Sequence, residues 1–548
     1  MKITFLGATK TVTGSNFLVD AAGKKFIVDC GLYQGKGVDV QENEAPFLFD
    51  VSQIDFMLLT HAHMDHAGRI PKLYNEGYRN PVIATKATCD LCEIMLPDSG
   101  HIQEMEIEWK NRKRKREGMK ELPPLYTAED AIKSQELFKA VNYDEIIDID
   151  ENIKVRFNDA GHMLGSSIIE VWVTEEGSTK KIVFTGDLGN NDLPLLASPT
   201  MIDSADFLVM ESTYGNRLHI KNESKAQLFL DIASETLDKN GTVVIPSFAV
   251  GRTQEIVYEL NKIKENTTDE EFVKKYEKLM KTPVYVDSPL AISATQVFRE
   301  NEDLFDDDVK EAMSKGDNPL EFPGLKFTPT AEESKMLNEM TTPAIIISAS
   351  GMCDVGRIKH HLKHNLWNPN STILFVGYQA PGTLGHRIVN GEKNVKIFGE
   401  DIAVNARIEY IEGYSGHADQ EWLMNFVYSF IDKPKHIFLV HGEEEGQLEL
   451  KEKIEQETGI PTTIPEFGEA YELDETIYVK EKLELPSRYK PLRREVLDRI
   501  TKLRDEVDDM AKILKQEVLT VDVKDTEVAI LNERIKELEK QILQIIED

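Results

Sequence analysis

Four side chains of metal-ligand type crowd into six residues, His61, His63, Asp65 and His66 of the run HAHMDH. Zinc accepts both imidazole nitrogen and carboxylate oxygen, so two imidazoles two residues apart can reach one ion while Asp65 and His66 reach a second. Packing alone gives no reason for such crowding. Each ion needs more ligands than this turn supplies. His162 in DAGHMLGS and His441 in LVHGE are candidates to complete the two sets, and Asp187 in FTGDLG could set one carboxylate oxygen on each ion. Asp29, in FIVDCG, is read as a carboxylate that orients a ligand imidazole through its other ring nitrogen. A pair of zinc ions ~3.5–4 Å apart activates water at neutral pH and neutralises a phosphorane-like transition state. That chemistry suits hydrolysis of a phosphodiester.

These residues need elements that bring them together. KITFLGA, SNFLVDAAG and KKFIVDCG read as short antiparallel strands broken at glycine. The apolar run IDFMLLT ends directly at His61, so the motif leaves the end of a buried strand and enters a helix near His66 to Tyr74. The pattern recurs in VRFNDAGH, KIVFTGDLG, DFLVMESTYG and HIFLVHGE, each with His, Asp or Glu just after a β-branched run. Strand-end loops are where α/β folds hold their chemistry. From Lys221 to about Val395 the pattern changes to alternating strands and helices, that of an open, mainly parallel sheet inserted into the first domain. The predicted organisation is a first domain over 1–216, an insert over 217–395, the rest of the first domain over 396–485 and a helical hairpin over 486–548. In the last, Val496, Ile500, Leu503, Val507, Met510 and Leu514, then Leu531, Ile535, Leu538, Ile542 and Ile545, form apolar seams at heptad spacing. Such seams can pack on the body or join two chains, and a homodimer is the expected assembly.

Composition narrows the setting. The chain has 548 residues, 41% of them hydrophobic, enough for several buried cores. Its N-terminal residues lack the apolar core of a signal peptide, and no long apolar span occurs, so a cytoplasmic protein is expected. Four cysteines do not make a disulfide framework. Cys89 and Cys92 read as two small residues on one helix face, and the basic run Lys110 to Arg116 as a solvated helix face. The net charge of −32 excludes a uniformly basic nucleic-acid-binding surface. It leaves room for a nucleic-acid enzyme whose positive charge is local to metal ions.

The ordered set GATKTVTGSNFLV, Asp29, HAHMDH, DAGHMLGS and FTGDLG, followed by MESTYGNR, GYSGHADQ and LVHGEEE, resembles the β-CASP group of metallo-β-lactamase-fold nucleases over residues 1 to about 470. The resemblance implies an αββα sandwich carrying an inserted β-CASP α/β domain, two Zn²⁺ per chain, and single-stranded RNA lying between the domains. It implies that His61, His63 and His162 bind one zinc, Asp65, His66 and His441 the other, and that Asp187 bridges. It also implies His417 as proton donor to the leaving oxygen, Glu211 as its hydrogen-bond partner and Asp65 as a further catalytic group. His441 resembles the RNA-processing branch. In the insert, Ser247 and Arg252 of PSFAVGRTQE, Ser350 and Gly351 of SASGM, and Arg387 of GTLGHR are expected to meet phosphate. The expected activity is endonucleolytic. The alternatives are 5′–3′ exonuclease action, as in ribonucleases of the RNase J type, a lactonase or thioesterase of the same fold, and a silent RNA-binding subunit.

Overall fold

The computed structural model describes residues 1–34, 40–190, 193–219, 223–265, 269–380, 382–411, 415–474 and 478–482. The expected helical hairpin over 486–548 lies outside the described residues. Met1–Leu483 form one compact unit.

Alternation builds the first two sheets. In the strand Lys24–Val28, Phe26 and Val28 join one apolar cluster while Ile27 joins another, as side chains alternate across a sheet. The first sheet runs, edge to edge, through Tyr478–Lys482, Glu469–Glu472, Lys2–Phe5, Phe17–Ala21, Lys24–Val28, Phe56–Leu58, Val82–Thr85 and Phe138–Val141. Its N-terminal strands pair antiparallel, as expected, and the pairs from Lys24–Val28 onward are parallel. The second sheet runs through Thr462–Thr463, His436–Val440, Phe207–Glu211, Ser178–Phe184, Ser167–Glu175, Ile153–Asp159 and Ile147–Asp148. Between the sheets lie Phe5, Phe26, Phe56, Phe157, Phe184, Phe207 and Phe438, all buried. Full burial of each contributes ~1.5–3 kcal/mol.

Helices cover the outer faces. Ile70, Leu73, Leu91 and Cys92 pack on the outside of the first sheet with Ile27, Met57 and Val82. Leu423, Phe426, Leu450 and Ile454 pack on the outside of the second with Leu208, Met210 and Leu439. The result is the four-layer αββα sandwich that the sequence implied. Cys89 and Cys92 are free thiols on the helix Lys86–Arg116, and the basic run forms that helix's exposed last turns. No helix among the described residues is long and apolar enough to cross a membrane.

The third sheet is wholly parallel, in the order Leu325–Phe327, Val284–Val286, Ile345–Ser348, Val243–Pro246, Thr372–Phe375 and Arg407–Tyr410. Its central strands are apolar on both faces, the pattern of a parallel sheet covered on both sides. The last strand, Arg407–Tyr410, lies past residue 395, where the sequence placed the end of the insert. A small antiparallel hairpin, Asn394–Ile397 with Glu400–Ala403, intervenes and hides the continuation.

Candidate metal centre

Five chain segments deliver the polar cluster. The strand Phe56–Leu58 ends just before His61, and the helix Met64–Ala67 opens at His63. Gly31 lets the chain press against this turn, because a Cβ there would stand 1.5 Å from the Asp65 carbonyl oxygen. His162 follows the strand Ile153–Asp159, Asp187 follows Ser178–Phe184, Glu211 ends Phe207–Glu211 and His441 follows His436–Val440. Asp29 and His441 both hold a left-handed backbone, with φ of 61° and 47°, a conformation that costs a non-glycine residue free energy and marks a constrained site.

Three ligand groups result among the described residues; two share no residue, and the third joins Asp187, His417 and His441. The first holds His61, His63, His162 and Asp187, and the second Asp65, His66 and His441, each with its ligand atoms close enough for one ion. His63 Nδ1 lies 3.2 Å from both His61 Nε2 and His162 Nε2. Asp187 Oδ2 is 3.4 Å from His61 Nε2 and 3.6 Å from His162 Nε2, while its Oδ1 is 3.3 Å from His66 Nε2 and 3.6 Å from His441 Nδ1. His441 Nε2 is 3.4 Å from Asp65 Oδ2. One carboxylate therefore turns an oxygen to each group.

Neighbouring groups set the ring orientations. Asp29 Oδ2 lies 2.7 Å from His66 Nδ1. The Thr60 hydroxyl lies 3.1 Å from His61 Nδ1 and donates to Asp29 Oδ2 at 2.9 Å. The Thr213 hydroxyl lies 3.0 Å from His441 Nδ1. Neither threonine stood out in the sequence, although Thr60 directly precedes His61 and Thr213 lies within MESTYGNR, two residues after Glu211.

The electrostatics suit cations. Burial pushes His61 down to about 3 and lowers His63 and His162, which keeps these rings neutral with lone pairs available. Burial opposes ionisation of Asp187 and Asp65, but the surrounding imidazoles outweigh it and hold both carboxylates below their usual range. Asp187 Oδ1 and His162 Nδ1 are buried without a hydrogen bond. Buried groups of this kind are costly unless something satisfies them, and three imidazole nitrogens converging at 3.2 Å cannot all satisfy one another by sharing protons. The donor set fits divalent metal ions of the zinc class.

His417 stands beside the first group. Its ring centroid is 4.5 Å from that of His162, and its Nδ1 is 3.2 Å from Glu211 Oε1 and 3.9 Å from Asp187 Oδ2. Burial works against its charge, yet Glu211 and Asp187 overcome it and raise His417 to about 9. Glu211 is itself fixed by the Leu188 amide, which donates to Oε1 at 2.7 Å, and the Thr213 amide, which donates to Oε2 at 3.2 Å. His219, which the sequence reading passed over, lies 2.9 Å through Nε2 from the His417 carbonyl, and its amide donates to Asp419. It stands two residues beyond MESTYGNR, and that proximity was the available signal.

The insert residues are placed differently. Ser350 Oγ is buried without a hydrogen bond, and the Gly351 carbonyl accepts from Gln379 Nε2 at 3.0 Å. Ser247 is buried and its hydroxyl accepts from Thr253 at 3.1 Å. Arg252 is buried with its guanidinium on Glu255, and Arg387 grips Glu392 with two bonds of 2.6 and 2.7 Å. None of the five belongs to the ligand groups.

Known proteins share this organisation. Residues 10–89 match the metallo-beta-lactamase superfamily, 253–388 the Beta-Casp domain, and 401–465 the Zn-dependent metallo-hydrolase RNA specificity domain. Ribonuclease TTHA0252 of Thermus thermophilus is 36% identical over 469 residues, which is 86% of this chain and 99% of that protein. An RNase J-like protein of Methanocaldococcus jannaschii is 32% identical over 471 residues, 85% of this chain and 98% of that one. Transcription termination factor FttA of Methanosarcina mazei is 30% identical over 476 residues, 84% of this chain and 70% of its own length.

Proposed function

Because the chain belongs to the β-CASP family of metallo-β-lactamase-fold ribonucleases, we propose that it hydrolyses internal phosphodiester bonds of single-stranded RNA with two zinc ions, in the processing or decay of cytoplasmic RNA. The observation that carries this reading is Asp187, which turns one oxygen to each of two ligand groups and stands 3.9 Å from His417. In this reading His61, His63 and His162 would hold one ion and Asp65, His66 and His441 the other, with Asp187 placed between the two groups. The bound cations would supply Lewis acidity toward water and the phosphate oxygens.

The chain's own residues do the rest. Asp29, Thr60 and Thr213 keep the ligand rings in the required tautomers. Asp65 presents its carboxylate to the same space and can orient the attacking water by accepting its hydrogen bond. His417, held by Glu211, delivers a proton to the leaving oxygen, because a carboxylate beside an imidazole favours its charged form.

The test uses purified full-length chain and single-stranded RNA labelled at the 5′ or the 3′ end, with and without a chelator. Internal fragments from both labels, lost on chelation, and two zinc ions per chain by elemental analysis are the expected results. Mononucleotides released first from the 5′ end would replace endonuclease by exonuclease. Inert RNA alongside a cleaved thioester or lactone would overturn the ribonuclease reading.

A further inference from the structure

Phe248 and Tyr378 are large aromatic side chains left 44% and 49% exposed. They stand at the C-terminal ends of neighbouring parallel strands, Val243–Pro246 and Thr372–Phe375, where open α/β sheets bind their ligands. Val244 pairs with Ile373, and the same register continued to the strand ends sets Phe248 beside Gly377. Glycine makes the fit possible. A Cβ on Gly351 would stand 3.3 Å from the Phe248 ring and one on Gly377 3.6 Å, so the ring rests on backbone and still offers surface outward.

Tyr378 lies within electrostatic reach of the sandwich. Partial burial raises its phenol, and the charged and ionisable groups that act on it are Glu443, Arg217 and Tyr214. Glu443 follows His441 by one intervening residue in the sequence, and the Tyr214 ring meets the His417 ring edge-on at 6.1 Å with Arg217 above it at 6.0 Å. Tyr378 thus stands within reach of residues next to the ligand cluster, and Phe248 rests on Gly377, the chain neighbour of Tyr378. The other exposed large aromatics among the described residues are placed elsewhere. Trp109 and Tyr428 lie on helices, Trp367 follows the helix Ile358–Asn365, and Phe398 turns a hairpin beside His360 and Lys359.

We propose that Phe248 and Tyr378 form a base-binding platform on which unpaired nucleobases next to the cut bond stack. The inference rests on the ribonuclease reading and names what holds the strand. Every base has a π-face, so such rings grip RNA without selecting sequence, and they reject a duplex, whose bases already have both faces covered. Holding bases rather than backbone also suits a chain whose net charge of −32 gives little general attraction for phosphate.

The platform is tested with metal-loaded full-length chain, a single-stranded RNA of defined sequence, and the same RNA with abasic riboses on either side of its cleavage site. Wild-type chain should cleave the abasic RNA with a kcat/KM lower by about ten-fold or more, in keeping with the loss of stacked bases. In Phe248→Leu and Tyr378→Leu the two RNAs should become nearly equivalent substrates, while Phe248→Tyr and Tyr378→Phe restore the preference. A 2-aminopurine base at the flanking position, followed by stopped flow ahead of cleavage, should change emission on binding to wild-type chain and much less with the leucine variants. Equal cleavage of intact and abasic RNA by wild-type chain would overturn the platform while leaving the ribonuclease reading intact. A changed oligomeric state of the leucine variants with an unchanged preference for bases would assign the rings to a protein contact and overturn it as well. Failure to cleave either RNA would be a failure of the ribonuclease reading itself.

Discussion

In the proposed mechanism Asp187 and His417 separate metal binding from proton delivery. Asp187 lies within reach of both ligand groups, so Asp187→Ala should lose both zinc ions and all RNA cleavage, with elemental analysis reading the first and gel assay the second. His417 belongs to the other function. His417→Ala should keep two zinc ions per chain yet slow cleavage ~100-fold or more, as loss of a general acid does. Zinc lost together with activity in that variant would make His417 a ligand instead. At this scale the sequence was informative wherever a ligand type stood at the end of an apolar run, because that signal is local. It was silent on Thr60, Thr213 and His219, whose contacts reach across the fold to Asp29, His441 and His417. Two arginines expected to meet phosphate pair instead with acids close by in the sequence. Arg252 has Glu255 one helical turn on and Arg387 has Glu392 just beyond its helix, and both acids were visible in the sequence as competitors for phosphate.

At the level of elements, the turns that hold the motifs tolerate little. A side chain on Gly31 meets the Asp65 carbonyl, and Gly31→Ala should cost ~1–3 kcal/mol or more by overpacking, with a lower Tm and reduced zinc content. The insert has its own buried anchor. Asp287 accepts from Ser334 at 2.6 Å, Thr328 at 2.7 Å and Arg357 at 2.7 Å, and its Oδ2 lies 2.5 Å from His361 Nε2. Burial opposes the charge of Asp287, but His361, Ser334 and Thr328 outweigh it and bring the carboxyl down to about 2. A depressed carboxyl contributes stability that is fully present above its unfolded value of ~3.9 and is lost as pH falls through the folded value. The stability gap between wild type and Asp287→Asn, read by urea unfolding, should therefore shrink as pH falls between about pH 4 and 2. A gap that stays constant to pH 2 would remove Asp287 as the source. Strand order was the part of the fold least legible in the sequence. Nothing local in Glu469–Glu472 announces that it pairs with Lys2–Phe5 at the opposite end of the unit, and the hairpin before Arg407–Tyr410 masks the last strand of the insert.

For the whole molecule, the heptad seams between Val496 and Ile545 carry a prediction that can be tested apart from the site. Met1–Leu483 is compact by itself, so a chain ending there should keep RNA cleavage and sediment as a monomer, while the full chain sediments as a dimer. A truncated chain that remains dimeric would move the interface to the sandwich or the insert. The separation of the ligands along the chain has one more consequence. His441 meets Asp65 across 376 residues of sequence, with the whole third sheet between them. A ribosome releases residues in order, so the nascent chain displays HAHMDH early and His441 only after the insert has emerged. Until then the second ligand group is incomplete, and a nascent chain halted short of His441 should not cleave RNA.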